Sequence, residues 1–377
     1  MAGLYIHFPF CRNACHYCDF HFSVSLDYIS PMMNAIQQEI ISRRDYLDGE
    51  VLHTIYLGGG TPSLLSSNQL ENLFGVIREH YQVSKDPEIT LEVNPEDISP
   101  QYLDDLLTVG INRLSIGIQS FFDDDLKFMN RRHGRSQSYY CLDIARKAGF
   151  NNMNIDLIYG VPGLTLEKWK ENLDISTDFS PAHIAAYHLT YETGTVLDYR
   201  RIKQRFYIQN EQQSLQQYHL LVEKLERKGY THYEISNFAQ AGFISKHNSA
   251  YWRGKKYLGA GPSAHSYDGK VRRWNIARNA SYIKKIKHGA VYHEQEILDK
   301  NAHFHDYLIT GLRTMWGADM DYIEKEFGQA YARHLLRNAK PFLQNGRIEK
   351  DGSKLILSRD GMFIADHIAT ALFLEPE

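Results

Sequence analysis

Cysteine is scarce in this chain, four in 377 residues. So few thiols in so long a chain exclude a disulfide framework. The opening MAGLYIHFPF has no charged region followed by an apolar run, so no secretory signal is expected and the cytoplasm is the expected compartment. No stretch approaches the ~18 uninterrupted apolar residues of a membrane span. An excess of either charge is also missing: the formal net charge is −3, so no global basic field draws nucleic acid or anionic lipid. There is no internal repeat and no low-complexity segment. A hydrophobic content of 43% with 23% charged residues fits a globular protein, and the length allows two domains.

The scarce thiols are not scattered. Cys11, Cys15 and Cys18 fall in FCRNACHYCDF, spaced C-x3-C-x2-C, one ligand short of a closed metal cage. Three thiolates suit a soft metal. One reading is zinc, with His7, His16 or His21 as fourth ligand, although the usual second ligand pair is not apparent. The other is a [4Fe–4S] cluster with one iron left open to a substrate. Cys141, far along a helical pattern, reads as a small buried core thiol.

Short β-rich runs alternate with helical patterns. Strands are expected at 4–7, 51–57, 89–93, 113–116, 153–158 and 184–188, and helices near 28–44, 68–81, 100–109, 136–148, 166–177 and 211–228. Six β/α units imply parallel strands, either an incomplete barrel or a doubly wound sheet. Every strand end carries a polar or glycine-rich cluster: the cysteines after the first, Gly58-Gly59-Gly60-Thr61-Pro62 after the second, then Glu92 with Asn94, Gly117 with Gln119, Asp156 with Tyr159, and Tyr187 with His188. In parallel α/β folds those ends share one face, so one common site is expected. The glycines admit close backbone approach to a ligand. Glu92 and Asp156 end apolar strands and need a cationic or hydroxyl partner. Gln119 can donate and accept, and Arg131 can grip a carboxylate bidentately.

The boundaries expected are a barrel over 1–235, an extended connecting segment over 236–295 containing HNSAYW, and a mainly helical C-terminal domain over 296–377. In the last, helices near 305–315, 319–327, 331–344 and 359–373 flank a hairpin at Asp351-Gly352, a winged-helix-like order. From 301 to 377 nine lysines and arginines face eleven aspartates and glutamates, so a structural or regulatory role is expected there in place of DNA binding.

The C-x3-C-x2-C spacing with Tyr17 before the last cysteine resembles the radical S-adenosylmethionine (radical SAM) enzymes, from about residue 4 through the barrel. The resemblance implies an α/β fold with a partial (β/α)6 TIM-type barrel. It also implies a [4Fe–4S] cluster on three cysteines, S-adenosylmethionine chelating the fourth iron, an electron donor for the cluster, and cleavage of the sulfonium to a 5′-deoxyadenosyl radical. YIHFPFC, LGGGTP, LEVNPE, SIGIQSF and NIDLIYGVP, with the C-terminal region, are similar to the oxygen-independent coproporphyrinogen III oxidase group. Within it, Phe20 stands where the true oxidases carry a fourth cysteine, and only ten residues precede Cys11 where they carry a longer arm. Both departures, with YEISNFA and HNxxYW, point to the heme-chaperone subgroup. That subgroup implies heme binding and delivery to acceptor proteins such as cytochromes, with a peripheral membrane contact among the partners; porphyrinogen decarboxylation is the alternative. Carried over as S-adenosylmethionine contacts are Tyr5, Tyr17, Gly59, Gly60, Thr61, Glu92, Gln119, Arg131 and Asp156; the segment around His188 and His265 is a weaker match. His247, in HNSAYW, is the expected heme ligand, because a histidine nitrogen suits heme iron.

Overall fold

The computed structural model describes residues 2–374. The six apolar runs form parallel strands β1 (Ala2–Phe8), β2 (Leu52–Gly59), β3 (Val83–Val93), β4 (Arg113–Gln119), β5 (Met153–Tyr159) and β6 (His183–His188), paired in chain order. That order decides between the two architectures left open. A doubly wound sheet reverses its order at a switch point, whereas sequential pairing with a crossover after each strand builds a TIM-type barrel, here of six units. The helices lie outside. In Ser67–His80 the residues Leu70, Leu73, Phe74 and Ile77 are buried, an i, i+3, i+4, i+7 stripe against the strand backs. Each such side chain contributes roughly 1.5–3 kcal/mol by leaving water. Local signals end these helices. Ser66 and Gln69 form a reciprocal capping box, and Ser99 accepts from the Tyr102 N–H ahead of Pro100. Gly110, at φ 101°, takes the left-handed turn after Val109.

The stretch expected to connect, 236–295, adds strands to both edges of the sheet. β7 (Thr231–Glu234) and β8 (Asn237–Ala239) form a hairpin whose second strand runs antiparallel to β6. On the far edge β9 (Tyr257–Ala260) runs parallel to β1, and β10 (His265–Tyr267), β11 (Val271–Asn275) and β12 (His293–Ile297) continue antiparallel, which makes twelve strands. A buried carboxylate fastens this edge. Glu39, fully buried on helix Ile29–Ser42, accepts from Gly261 N–H (2.9 Å), Asn275 Nδ2 (2.9 Å) and Tyr282 OH (2.5 Å), with Arg43 at 3.3 Å.

Between the two edges, helix Lys246–Trp252 enters the barrel at the N-terminal end of the strands. There Glu88 accepts from the Lys246 and His247 N–H groups at 2.9 and 2.8 Å. Gly3 leaves room for it, since a Cβ there would lie 2.8 Å from Thr54 Oγ1 and 3.3 Å from His247 Nδ1.

The C-terminal module holds helices Lys300–Leu312, Met320–Phe327, Gln329–Gln344, Arg359–Phe363 and Ala365–Ala371 and a three-stranded antiparallel sheet. A hairpin forms there, but one residue later than expected: Asp351 pairs with Lys354 and the turn residues are Gly352, at φ 60°, and Ser353. The single helix expected over 359–373 is instead two, broken at Ile364 (φ −119°, ψ 30°). The module docks on β7 through Ile235 N–H to Arg313 O (3.1 Å) and Met315 N–H to Tyr233 O (3.0 Å). Among the described residues no helix is long and apolar enough to cross a membrane.

Candidate cluster and cofactor site

A cavity of about 630 Å³ lies inside the barrel and opens at the C-terminal strand ends. Cys11, Cys15, Tyr17, Cys18, Gly59, Gly60, Thr61, Glu92, Gln119, Arg131 and Asp156 all line it, so eleven of the thirteen expected site residues share one wall.

The thiol loop is sutured on two sides. Gly60 and Thr61 N–H groups donate to Phe8 O and Phe10 O at 2.8 and 2.7 Å, which joins the glycine turn to the strand that launches the cysteines. On the other side His16 N–H donates to Met129 O (3.1 Å), Asn13 Nδ2 to Asn130 O (2.8 Å), and Asn130 Nδ2 back to Ala14 O (2.7 Å). The Cys11, Cys15 and Cys18 thiols are free and half-buried. Burial pushes Cys11 up to about 11 and Cys18 up to about 12, so their thiolates need a cationic partner at neutral pH.

Among the described residues no three His, Cys, Asp or Glu side chains converge on a point that would hold one metal ion. The histidines of the zinc reading are engaged elsewhere. His7 Nε2 donates to His21 O (2.8 Å), His21 Nε2 pairs with Asn279 Oδ1 (2.7 Å), and His16 Nδ1 pairs with Phe128 O (2.9 Å). Three thiols spread along a cavity wall suit a cluster, whose corners take one thiolate each.

The glycine turn packs against β1 and the loop after it too closely for any side chain. A Cβ on Gly60 would lie 2.6 Å from both Phe8 O and Phe10 O, and one on Gly59 (φ +99°) would lie 2.5 Å from the His7 ring. Glu92 faces this turn. It accepts from Tyr56 OH (2.8 Å) and Gly59 N–H (3.1 Å) with no cation beside it, and burial, with a smaller push from Asp156, raises it to about 7. Asp156 accepts from Asn154 Nδ2 (2.7 Å) and Ser115 Oγ (3.1 Å), and burial raises it to about 6. Two carboxylates whose ionisation burial disfavours mark a place where a cationic or polyhydroxyl ligand fits.

Arg131 is not a solvated loop residue. Its NH2 donates to Asn94 Oδ1 (2.6 Å) and Gly117 O (2.9 Å), and its NH1 approaches Cys15 Sγ at 3.5 Å. A Cβ on Gly117 would fit tightly there, 3.1 Å from the guanidinium and 3.0 Å from Gln119 Nε2. Gln119 holds φ 66°, which turns its amide into the cavity at an irregularity between β4 and β5.

The comparisons with known proteins agree with this geometry. The radical SAM superfamily matches residues 5–175, and the HemN C-terminal domain matches residues 298–364. The heme chaperone HemW of Bacillus subtilis is 32% identical over 100% of both chains, and that of Lactococcus lactis is 31% identical over 98% of this chain and 97% of its own. The chain belongs to the HemW group of radical SAM proteins. The solved structure of coproporphyrinogen III oxidase (HemN) from Escherichia coli, described as a radical SAM enzyme, superposes with a TM-score of 0.86 at 25% identity, covering 99% of this chain and 90% of its own.

Two expected site residues lie elsewhere in this HemW-group chain. Tyr5 stands behind the wall, its OH donating to His7 Nδ1 at 3.1 Å, and does not line the cavity. His247, the expected heme ligand, belongs to the helix that plugs the barrel. It is 2% exposed, stacks on Tyr56 (ring centroids 5.0 Å apart), and hydrogen-bonds through Nδ1 with Thr54 Oγ1 (2.7 Å) and through Nε2 with Tyr251 OH (2.8 Å). Burial lowers it to about 3, so it is neutral, yet neither ring nitrogen is open to a heme iron. The HNxxYW residues therefore close the barrel: Tyr251 packs edge-on against His247 and Tyr257, and Trp252 lies under Arg313.

Sequence reasoning missed Tyr56 and Arg113, both of which line the cavity. Alternation along β2 places Tyr56 on the same face as Thr54 and was the signal available. A charge at the head of an otherwise apolar strand was the signal for Arg113.

Proposed function

We propose that this chain is a heme chaperone that holds a [4Fe–4S] cluster through Cys11, Cys15 and Cys18, binds S-adenosylmethionine beside it, and takes up heme for delivery to acceptor proteins such as cytochromes. The observation that supports this reading is the meeting of three thiols, a glycine turn, two buried carboxylates and a guanidinium on one cavity. When bound, the cluster supplies an electron from its donor and an open iron corner. The chain's own residues orient the sulfonium ligand. Gly59 and Gly60 allow the methionyl end to approach, Glu92 takes its ammonium, Arg131 faces its carboxylate, and Asp156 with Gln119 suits the nucleoside hydroxyls. Tyr17, in the cavity wall, packs beside the ligand, and Thr61 orients the turn through its bond from Asn94 Nδ2 (3.2 Å). These residues also limit water at the thiols.

A carrier is favoured over a porphyrinogen oxidase by Phe20, which is 67% exposed at the cavity lip where the oxidases place a cysteine, and by HemW relatives matched along their whole length. Heme iron needs an open nitrogen. His188, on the cavity wall, bonds Ser214 Oγ through Nε2 (2.9 Å) while its Nδ1 makes no hydrogen bond among the described residues, so it replaces His247 as the proposed ligand. The cytoplasm is the proposed compartment.

The test is anaerobic titration of cluster-reconstituted protein with hemin, with and without S-adenosylmethionine, alongside a coproporphyrinogen III assay. A saturable Soret band that weakens in His188→Ala and persists in His247→Ala supports the reading. Formation of the divinyl product overturns it in favour of the oxidase.

A further inference from the structure

The barrel contains a positive charge that the proposed cofactors leave unused. Arg113 opens β4 and is 1% exposed. Among the described residues no carboxylate lies within ion-pair distance of it, no side chain or carbonyl hydrogen-bonds its guanidinium, and its Nε is orphaned. Asp156 also lines the cavity, but both its oxygens already accept from Asn154 and Ser115. A buried guanidinium without a partner is strongly destabilising, so the folded chain retains it at the expense of stability. Because Arg113 lines the cavity, a ligand can complete it.

The wall beyond Arg113 runs through Asn237 and Asn248 to Arg313 and Asp366 at the junction with the C-terminal module. The Asp366 side chain is 85% exposed, so the cavity also reaches the surface there, apart from the cysteine loop. Arg313 is already paired, at 2.8 Å from Asp366 and 3.6 Å from Glu234, and lies over Trp252. Asn248 offers a side-chain amide with no hydrogen bond among the described residues. One free cation with the Asn248 amide as a donor suits a singly charged planar anion better than a doubly charged phosphate, and a guanidinium fork matches the two oxygens of a carboxylate.

We propose that Arg113 is the binding group of a carboxylate site deep in the barrel, reached between the barrel and the C-terminal module past Arg313. The site goes beyond the heme-chaperone reading, because Arg113 is none of the residues assigned to the cluster or the sulfonium ligand. The carboxylate belongs either to a free small acid or to a propionate arm of a tetrapyrrole, and only the second source rests on that reading.

Calorimetric titration of the reconstituted full-length protein with sodium propionate, at constant ionic strength with chloride as the control anion, tests the site. Hemin and hemin dimethyl ester are titrated in parallel. Saturable propionate binding, weakened about tenfold or more in Arg113→Gln and partly kept in Arg113→Lys, supports the site with a free acid as occupant. Hemin binding about tenfold tighter than its ester in the unaltered protein, with the preference lost in Arg113→Gln, supports it with a tetrapyrrole arm. Asn248→Ala, which changes no charge, is the second variant should Arg113→Gln not fold, and is expected to weaken the same binding. No saturable propionate binding together with equal affinity for hemin and its ester in the unaltered protein overturns the proposal, as does binding that is indifferent to both substitutions.

Discussion

Replacing Glu92 by glutamine should change the protein's stability with opposite signs at low and high pH. Glu92 rises from 4.5 to about 7 in the folded chain, mainly through burial. The folded state therefore holds the proton more tightly than the unfolded state. Its stabilising contribution is complete below pH 4.5 and is lost as pH climbs through 7. At about 1.36 kcal/mol per pKa unit, the ionised carboxylate costs the ligand-free fold about 3 kcal/mol near pH 8. Glutamine removes that charge but supplies one acceptor where Glu92 supplies two, to Tyr56 OH and Gly59 N–H. Leaving one donor unpaired costs about 1–2 kcal/mol at any pH. Glu92→Gln should thus be less stable than the unaltered chain by up to about 1 kcal/mol at pH 5 and more stable by about 1–2 kcal/mol at pH 8. Asp156 pushes Glu92 up in the same direction, and its own carboxyl gains by losing that neighbour. Urea denaturation of cluster-free protein at pH 5, 6.5 and 8 measures the difference. A stability difference of one sign at all three values would refute the account of Glu92 as a carboxylate waiting for a cation.

Three further outcomes are expected. Cys11→Ala, Cys15→Ala and Cys18→Ala should each abolish bound iron and acid-labile sulfide after anaerobic reconstitution while the circular dichroism is unchanged; Cys141→Ser, a fully buried core thiol, should leave the iron content intact. Gly60→Ala forces a methyl group to 2.6 Å from two backbone carbonyls, so either the thiol loop or the turn must move. S-adenosylmethionine affinity, read by equilibrium dialysis, should fall at least about tenfold, a loss of ~1.4 kcal/mol or more. His247→Ala opens a cavity against Tyr56 and strands Thr54 and Tyr251, which should lower stability by about 2–4 kcal/mol in denaturant unfolding.

Much of the site was legible before any fold was known because its chemistry is local. The thiol spacing lies within one loop, and the glycines and carboxylates each sit at a strand end, so the parallel β/α order alone gathers them on one face. The surroundings of Arg131 were not legible, because MNRRHGR has no apolar pattern and its partners Asn94, Gly117 and Cys15 come from three other elements. Tyr5 and His247 were named from motifs alone. A motif marks a residue as special without saying whether it meets ligand or barrel wall, and His247 meets Thr54 and Tyr251.

By itself the sequence determined six parallel units, the helices with their caps, a hairpin near Asp351-Gly352, and the thiol loop one ligand short of closure, since each depends on residues a few positions apart. Only the tertiary structure decided that the strands pair in order as a barrel, that 231–239 and 257–297 become its two edges, that helix Lys246–Trp252 plugs one end, and that Arg113 is left buried without a counter-ion. The reason is physical. Hydrogen-bond register and the balance of buried charge are settled between segments some two hundred residues apart, as when Glu39 meets Asn275 or Thr54 meets His247, and no local pattern encodes which partner arrives.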